Sequence, residues 1–321
     1  MQTEIGHDIH KAIEFLKAGD VVAIPTETVY GLAGNALNEE AIVRIFEAKQ
    51  RPRFNPLIVH VASFDQVINF VQDIPVDCTK LAEKFSPGPI SFLLNKKDII
   101  PDLVTAGSPK VAIRIPSHPV TLEILKHTGF PLAAPSANPF GYVSPVSAEH
   151  VFAGLHDVIP YILDGGPCQV GLESTIVGFE EENITVYRLG GVTTEEIQQV
   201  TGKQVNLQLN HEQPDTPGQL KSHYAPNLPL WVGDVDSLMQ VHTGKRIAVI
   251  AFKKKYVYPE PAFQFTLSPE GDLQEAARNL FRVLREADAL DADIILAERF
   301  PESGLGRAIN DRLTRASFID R

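Results

Sequence analysis

Between Asn206 and Pro229 the chain carries four prolines, one glycine and few apolar residues, while strand-like and helix-like segments alternate on either side of it. Alternating strands and helices bury their apolar faces by packing helices on a sheet. A stretch with four prolines lacks the N–H groups that a helix or a central strand needs. The break therefore predicts two α/β domains. Residues 1–205 are expected to form a catalytic domain around a twisted mixed sheet, and residues 230–321 a small Rossmann-like parallel α/β unit. An ordered linker over 206–229, a candidate active-site lid, is expected to join them. A length of 321 residues agrees, since single cores rarely grow past about 250–300 residues.

Periodicity fills in the elements. Ile9, Ile13 and Leu16 predict a helix over 8–18, stopped by Gly19. Asn38 reads as the N-cap of a helix running to Lys49, and Ser63 as the start of a capped helix to Val71. Val21–Ile24, Leu57–Val61, Ile90–Leu94, Val111–Ile115, Ser174–Phe179 and Ile184–Leu189 read as strands. Beyond the break, Arg246–Phe252 and Asp293–Ala297 predict buried strands. Asp272–Leu290 predicts a long amphipathic helix, and Gly306 opens the last one.

The balance of 29 basic against 40 acidic residues gives a net charge of −11. Such a chain repels a phosphate backbone at long range, so no stable nucleic-acid binding is expected. Cations that converge on one pocket would instead serve a small anion. No apolar run approaches the ~18 residues of a membrane span. Cys78 and Cys168 form no C-x-x-C pair, and the stretch from Met1 to Asp8 has no basic-then-apolar pattern. A cytoplasmic protein is expected. The chain contains no G-x-x-x-x-G-K-[ST], H-E-x-x-H or G-x-S-x-G, and its histidines do not cluster, so no protein-held metal is expected.

What remains is a set of polar residues at strand ends, where α/β folds bind ligands. Pro25–Leu32 (PTETVYGL) places hydroxyls after the first apolar strand. Lys49-Gln50-Arg51-Pro52-Arg53-Phe54-Asn55-Pro56 holds three cations in a segment stiffened by two prolines, with Arg as a planar fork and Lys as a compact charge for phosphate oxygens. Arg114 projects from an alternating strand opposite Val111, Ile113 and Ile115, and an arginine turned away from solvent there needs an anion. Arg188 ends a row with Ile184 and Val186. Ser136 and Asn138 stand among small residues that permit close approach, and Glu173-Ser174-Thr175 opens another strand in the same way. Each has an ordinary structural reading: a solvated loop, a surface arginine, a satisfied core histidine at His60.

Taken in order, these segments resemble the threonylcarbamoyl-AMP synthase (YrdC-like) family in its longer, two-domain form. The matching stretches are PTETVYGL, KQRP with NPLIVHV, VAIRIPSHP at Val111–Pro119, and APSAN at Ala134–Asn138. Ser144-Pro145, ESTIV at Glu173–Val177, the turn at Arg188–Gly190, PGQLKSHYAP at Pro217–Pro226, and GLGRAINDRL at Gly304–Leu313 continue the match. The resemblance implies an enzyme that joins L-threonine, bicarbonate or CO2, and ATP into threonylcarbamoyl-AMP and pyrophosphate, with Mg²⁺ carried by the nucleotide. A tRNA threonylcarbamoyl transferase machinery would receive the product. It also implies residue roles. Thr28, His60, Arg114 and Ser174 would form the threonine pocket, with Arg114 on the carboxylate. Lys49, Arg51, Ser136 and Asn138 would form a tetrad around the phosphates. Asn55, Lys110, Ser144, Arg188 and Tyr224 would be further nucleotide contacts, Lys110 standing where the family often has a small hydroxyl residue. The rival readings are an RNA-binding or ribosome-associated module, and a carbamoyltransferase-type maturation factor, whose zinc-ligand cysteines are not visible in this sequence.

Overall fold

The computed structural model describes residues 2–180, 183–209, 216–218, 223–257 and 260–317. The chain divides into two compact units, one of residues 1–140, 145–169 and 173–220, the other of 141–144, 170–172 and 221–321. Residues 210–215 and 219–222 of the expected lid lie outside the described residues.

The first unit is built on β1 (Glu4–Gly6), β2 (Val22–Ile24), β3 (Gly31–Asn35), β4 (Ile58–His60), β5 (Ile90–Asn95), β6 (Lys110–Arg114), β7 (Leu132–Ala133), β8 (Tyr161–Leu163), β9 (Thr175–Glu180), β10 (Asn183–Arg188) and β11 (Val205–Leu207). They form one mixed sheet in the order β1-β8-β2-β3-β7-β4-β6-β5-β9-β10-β11. The expected mixed sheet is present, and β11 carries it two residues into the stretch read as linker. Helix Ile9–Lys17 starts at Asp8, whose side chain accepts from Lys11 N, and buries Ala12, Ile13 and Leu16. These pack with Val22, Ile24, Leu132 and Leu163 in a core cluster. Helix Glu39–Lys49 is capped by Asn38 as expected.

Three expectations are corrected. Ser63–Val71 is not a capped helix but a short 3-10 segment, Phe64–Asn69, and Ser63 makes no capping bond. Only Val67 of that segment is buried, so it has no apolar face to hold a longer helix. The row Ile184-Val186-Arg188 is broken by a register shift between Val186 and Arg188, so strict alternation stops short of Arg188. Strand β3, with two glycines in five residues, was not anticipated. A Cβ on Gly34 would stand 3.2 Å from Ile45 Cδ1, so the missing side chain is what lets helix Glu39–Lys49 lie close to this strand.

The second unit holds β12 (Leu230–Gly233), β13 (Ile247–Ala251), β14 (Phe263–Thr266) and β15 (Ile294–Glu298), all parallel, in the order β12-β15-β13-β14. Helix Leu273–Asp288, capped by Asp272, buries Ala276, Ala277, Leu280, Phe281, Val283, Leu284 and Ala287 along one face. The last helix, Leu305–Ser317, begins where a Cβ on Gly306 would sit 2.0 Å from the Pro301 carbonyl oxygen, so only glycine fits. Among the described residues no helix is long and apolar enough to cross a membrane.

Candidate functional site

Helix Glu39–Lys49 is terminated by Gln50 in the left-handed conformation (φ 52°). That turn sends Lys49 and Arg51 in different directions. Lys49 is buried, and its Nζ donates to the carbonyl oxygens of Ser136 (2.6 Å) and Asn138 (2.5 Å). The Lys49 carbonyl accepts from Phe140 N at 2.8 Å, so the helix end and the Ser136–Phe140 loop are stitched in both directions. Burial, and then the Arg51 charge, hold the Lys49 ammonium well below the usual lysine range. Two of its three N–H groups are engaged, leaving one for a ligand.

Arg51 is buried too. Its Nε donates to the Asn55 carbonyl (3.1 Å), and its Nη2 to Asn55 Oδ1 (2.6 Å) and the Pro56 carbonyl (2.8 Å). The proline-bounded turn is therefore folded around its own arginine rather than solvated. Asn55 is fully buried. The PTETVYGL loop closes on the same region, since Leu32 N donates to the Pro135 carbonyl (2.7 Å) and Ala137 N to the Tyr30 carbonyl (2.8 Å). Thr28 lies at the bottom of that loop, fully buried, with its hydroxyl 2.8 Å from Thr26 Oγ1.

A second group forms at the strand ends. His60 and Arg114 are register partners across the parallel pair β4–β6, and both are buried. Arg114 Nη2 reaches Glu27 Oε1 at 2.6 Å, and its Nε donates to the Gly88 carbonyl at 3.3 Å. Arg188 donates through Nε and Nη2 to the carbonyl and hydroxyl of Ser174, each at 3.0 Å, and the Ser174 hydroxyl also lies 2.7 Å from Ser91 Oγ. Gly190 is required beside it, because a Cβ there would fall 2.3 Å from the Glu173 carbonyl oxygen. Ser91 was not singled out in the sequence; a lone hydroxyl inside the apolar run Ile90–Leu94 was its signal.

Burial pushes the His60 imidazole down to about 3, with the Arg114 and Arg188 charges acting in the same direction. His60 is thus neutral, and both arginines are near enough to act on it. The folded state refuses a proton that the unfolded chain accepts below its ordinary value of 6.5. Stability is therefore lost as pH falls from 6.5 towards 3, by about 1.4 kcal/mol per unit. Urea unfolding at pH 7 and pH 5 is expected to show a loss of about 2 kcal/mol from this group, absent in His60→Gln. Equal losses in both proteins would contradict it.

Of the expected site residues, the first unit brings Thr28, Lys49, Arg51, Asn55, Ser136 and Asn138 together through these loop contacts, and His60, Arg114, Ser174 and Arg188 at neighbouring strand ends. Lys110 begins the strand that Arg114 ends, roughly 13 Å away at strand rise, and its Nζ is paired with Glu180 at 2.7 Å. Ser144 and Tyr224 belong to the second unit. There Arg285 donates to the Val143 and Ser144 carbonyls. The Tyr224 ring is buried, 5.5 Å from Phe281 and under the Arg312 guanidinium at 5.0 Å.

Two family profiles cover the chain. That described as telomere recombination matches residues 14–190, and that described as the threonylcarbamoyl-AMP synthase C-terminal domain matches 192–317. A threonylcarbamoyl-AMP synthase of Pyrococcus abyssi is 40% identical, over 96% of this chain and 94% of the relative. One of Bacillus subtilis is 38% identical, over 96% and 92%. The crystal structure of Pyrococcus abyssi Sua5 complexed with L-threonine matches with a TM-score of 0.91 at 37% identity, covering 99% of this chain and 98% of that one.

Proposed function

Because the chain belongs to the two-domain threonylcarbamoyl-AMP synthases, we propose that the buried cationic cluster of its first unit activates L-threonine, as a carbamate, with ATP. The enzyme joins L-threonine, bicarbonate or CO2, and ATP, and releases pyrophosphate and threonylcarbamoyl-AMP. The observation that supports this residue reading best is the burial of Lys49, Arg51, Arg114 and Arg188 in an acidic protein, with Arg51 acting on Lys49 and both Arg114 and Arg188 acting on His60. Buried cations favour an anionic ligand.

Arg114 receives the threonine carboxylate on its uncommitted Nη1. Thr28, His60 and Ser174 complete that pocket, His60 as a neutral hydrogen-bonding ring. Lys49 keeps the Ser136–Asn138 loop in place and turns its third N–H to a phosphate oxygen. Arg51, held rigid by Asn55, faces the same charge, and Arg188 fixes Ser174 while contacting the nucleotide. The carbamate oxygen attacks the α-phosphorus and pyrophosphate leaves, so catalysis is positioning and charge stabilisation.

Mg²⁺ carried by the nucleotide would supply charge neutralisation at its phosphates. The donors in the cluster are N–H groups, carbonyls and hydroxyls, and among the described residues no three His, Cys, Asp or Glu converge. That set fits an ion held by phosphates and water, with the Ser136 hydroxyl and Asn138 carboxamide as added oxygens. The product passes to a tRNA-modifying transferase. Two free buried cysteines, Cys78 and Cys168, suit a reducing compartment, the cytoplasm.

The test is the product's mass. Incubation with isotope-labelled bicarbonate, L-threonine and Mg-ATP is expected to give an adenylate carrying the labelled carbonyl. A threonyl adenylate without that carbon would contradict the proposal.

A further inference from the structure

Glu27 is the acidic residue inside PTETVYGL, and no role has yet been given to it. It is 6% exposed, deep beside the cationic cluster. One carboxylate oxygen, Oε1, takes a hydrogen bond from Arg114 Nη2 at 2.6 Å. The other, Oε2, is buried and has no hydrogen-bond partner among the described residues. A desolvated carboxylate oxygen left bare is costly, and native structures rarely keep one without a purpose. The pairing with Arg114 does not need it, since a bidentate pair would have used both oxygens. Glu27 is held in place from both sides in sequence: Thr26 Oγ1 accepts from Thr28 N and Val29 N at 3.2 Å, and the Pro25 carbonyl accepts from Thr121 Oγ1.

Arg114 is likewise only partly used. Its Nε and one Nη2 N–H are engaged, which leaves three N–H groups of the guanidinium without a partner among the described residues. The same guanidinium thus pairs with Glu27 through Nη2 and keeps its Nη1 N–H groups for a second carboxylate. An α-amino acid whose carboxylate lies on Arg114 carries its ammonium one carbon away, beside the carboxylate already paired to Arg114. The bare Oε2 is an acceptor of the right charge for that ammonium.

We infer that Glu27 binds the α-ammonium of threonine through Oε2 and takes a proton from it. The step breaks one N–H bond of the ammonium. The electron pair stays on nitrogen as the nucleophile for CO2, and the proton goes to Oε2. Glu27 is then a catalytic residue for carbamate formation, the stage that precedes transfer to ATP. The inference rests on the threonine pocket proposed above, and goes beyond it by assigning the amino end of the substrate. His118 and Cys168 are the other titratable groups whose electrostatics Glu27 touches.

Calorimetric binding to the full-length protein tests it without turnover, comparing L-threonine with 3-hydroxybutyrate, which has the same carbon chain and hydroxyl but no ammonium. The wild type is expected to bind threonine about 10- to 100-fold more tightly, the range of a charge-assisted buried hydrogen bond. In Glu27→Gln that preference is expected to vanish while affinity for 3-hydroxybutyrate stays within about threefold. If Glu27→Gln does not fold, Glu27→Asp keeps the charge and withdraws it by one methylene; it is expected to weaken threonine alone. Equal binding of both ligands by the wild type, an unchanged preference in Glu27→Gln, or an equal loss for both ligands in Glu27→Asp would overturn the assignment. A wild type that binds neither ligand would instead overturn the threonine pocket, and one that binds threonine but releases no pyrophosphate would overturn the synthase reading while leaving this comparison intact.

Discussion

Replacing Lys49 with methionine is expected to lower threonine-dependent pyrophosphate release at least about 100-fold while leaving the protein folded. Methionine keeps the aliphatic volume and removes only the ammonium. That ammonium does two things. It ties the carbonyls of Ser136 and Asn138 to the end of helix Glu39–Lys49, at 2.6 and 2.5 Å. Its third N–H is the one proposed to meet the transferring phosphates. Losing the first loosens the loop that carries two more tetrad members, and losing the second removes charge stabilisation in a low-dielectric site. Stability should change less than activity, because burial already penalises the charged lysine and holds its ionisation well below the usual range. Lys49→Arg is not expected to rescue, since a planar guanidinium does not fit a slot shaped for two converging carbonyls. A Lys49→Met enzyme turning over near the wild-type rate would remove Lys49 from the chemistry.

The second large effect is expected at Arg114. Arg114→Met leaves the Glu27 carboxylate buried with no countercharge, a change that costs about 3–5 kcal/mol. It also removes the proposed partner of the threonine carboxylate, so saturation by threonine should require at least about 100-fold more substrate. The two consequences separate in the double variant Glu27→Gln/Arg114→Met. Stability should recover, because no lone charge remains, while threonine binding should not. Urea unfolding and threonine titration read the two quantities. A single variant with an unchanged unfolding midpoint would mean that the pair contributes nothing, and unchanged threonine saturation would place the carboxylate elsewhere.

Much of this arrangement can be read in the sequence, for particular reasons. Asn38 before Glu39 and Glu40, and Asp272 before the stripe from Ala276 to Ala287, are local signals that tertiary structure had no cause to overrule. Arg114 was legible because clean alternation over Val111–Ile115 fixes which face a side chain takes. Arg188 was legible as a residue but not as geometry, since the register shift before it leaves no mark in composition. Strand β3 was hidden for the opposite reason: its glycines are there for close packing, and propensity counts against them. Lys110 sits in a matching stretch, but its pairing with Glu180 across the sheet could not be read from the sequence. Glu27 shows another limit. A carboxylate between two threonines looks like a loop residue until its burial and its bare oxygen are seen.

The central claim is that this chain activates threonine with ATP only after capturing CO2. Pyrophosphate release by the purified protein, with Mg-ATP, in bicarbonate-depleted and bicarbonate-replete buffer, with L-threonine or without amino acid, tests it most directly. Release that needs both threonine and bicarbonate is the predicted result. Release that ignores bicarbonate, or no threonine-stimulated release from protein shown to be folded, would contradict it.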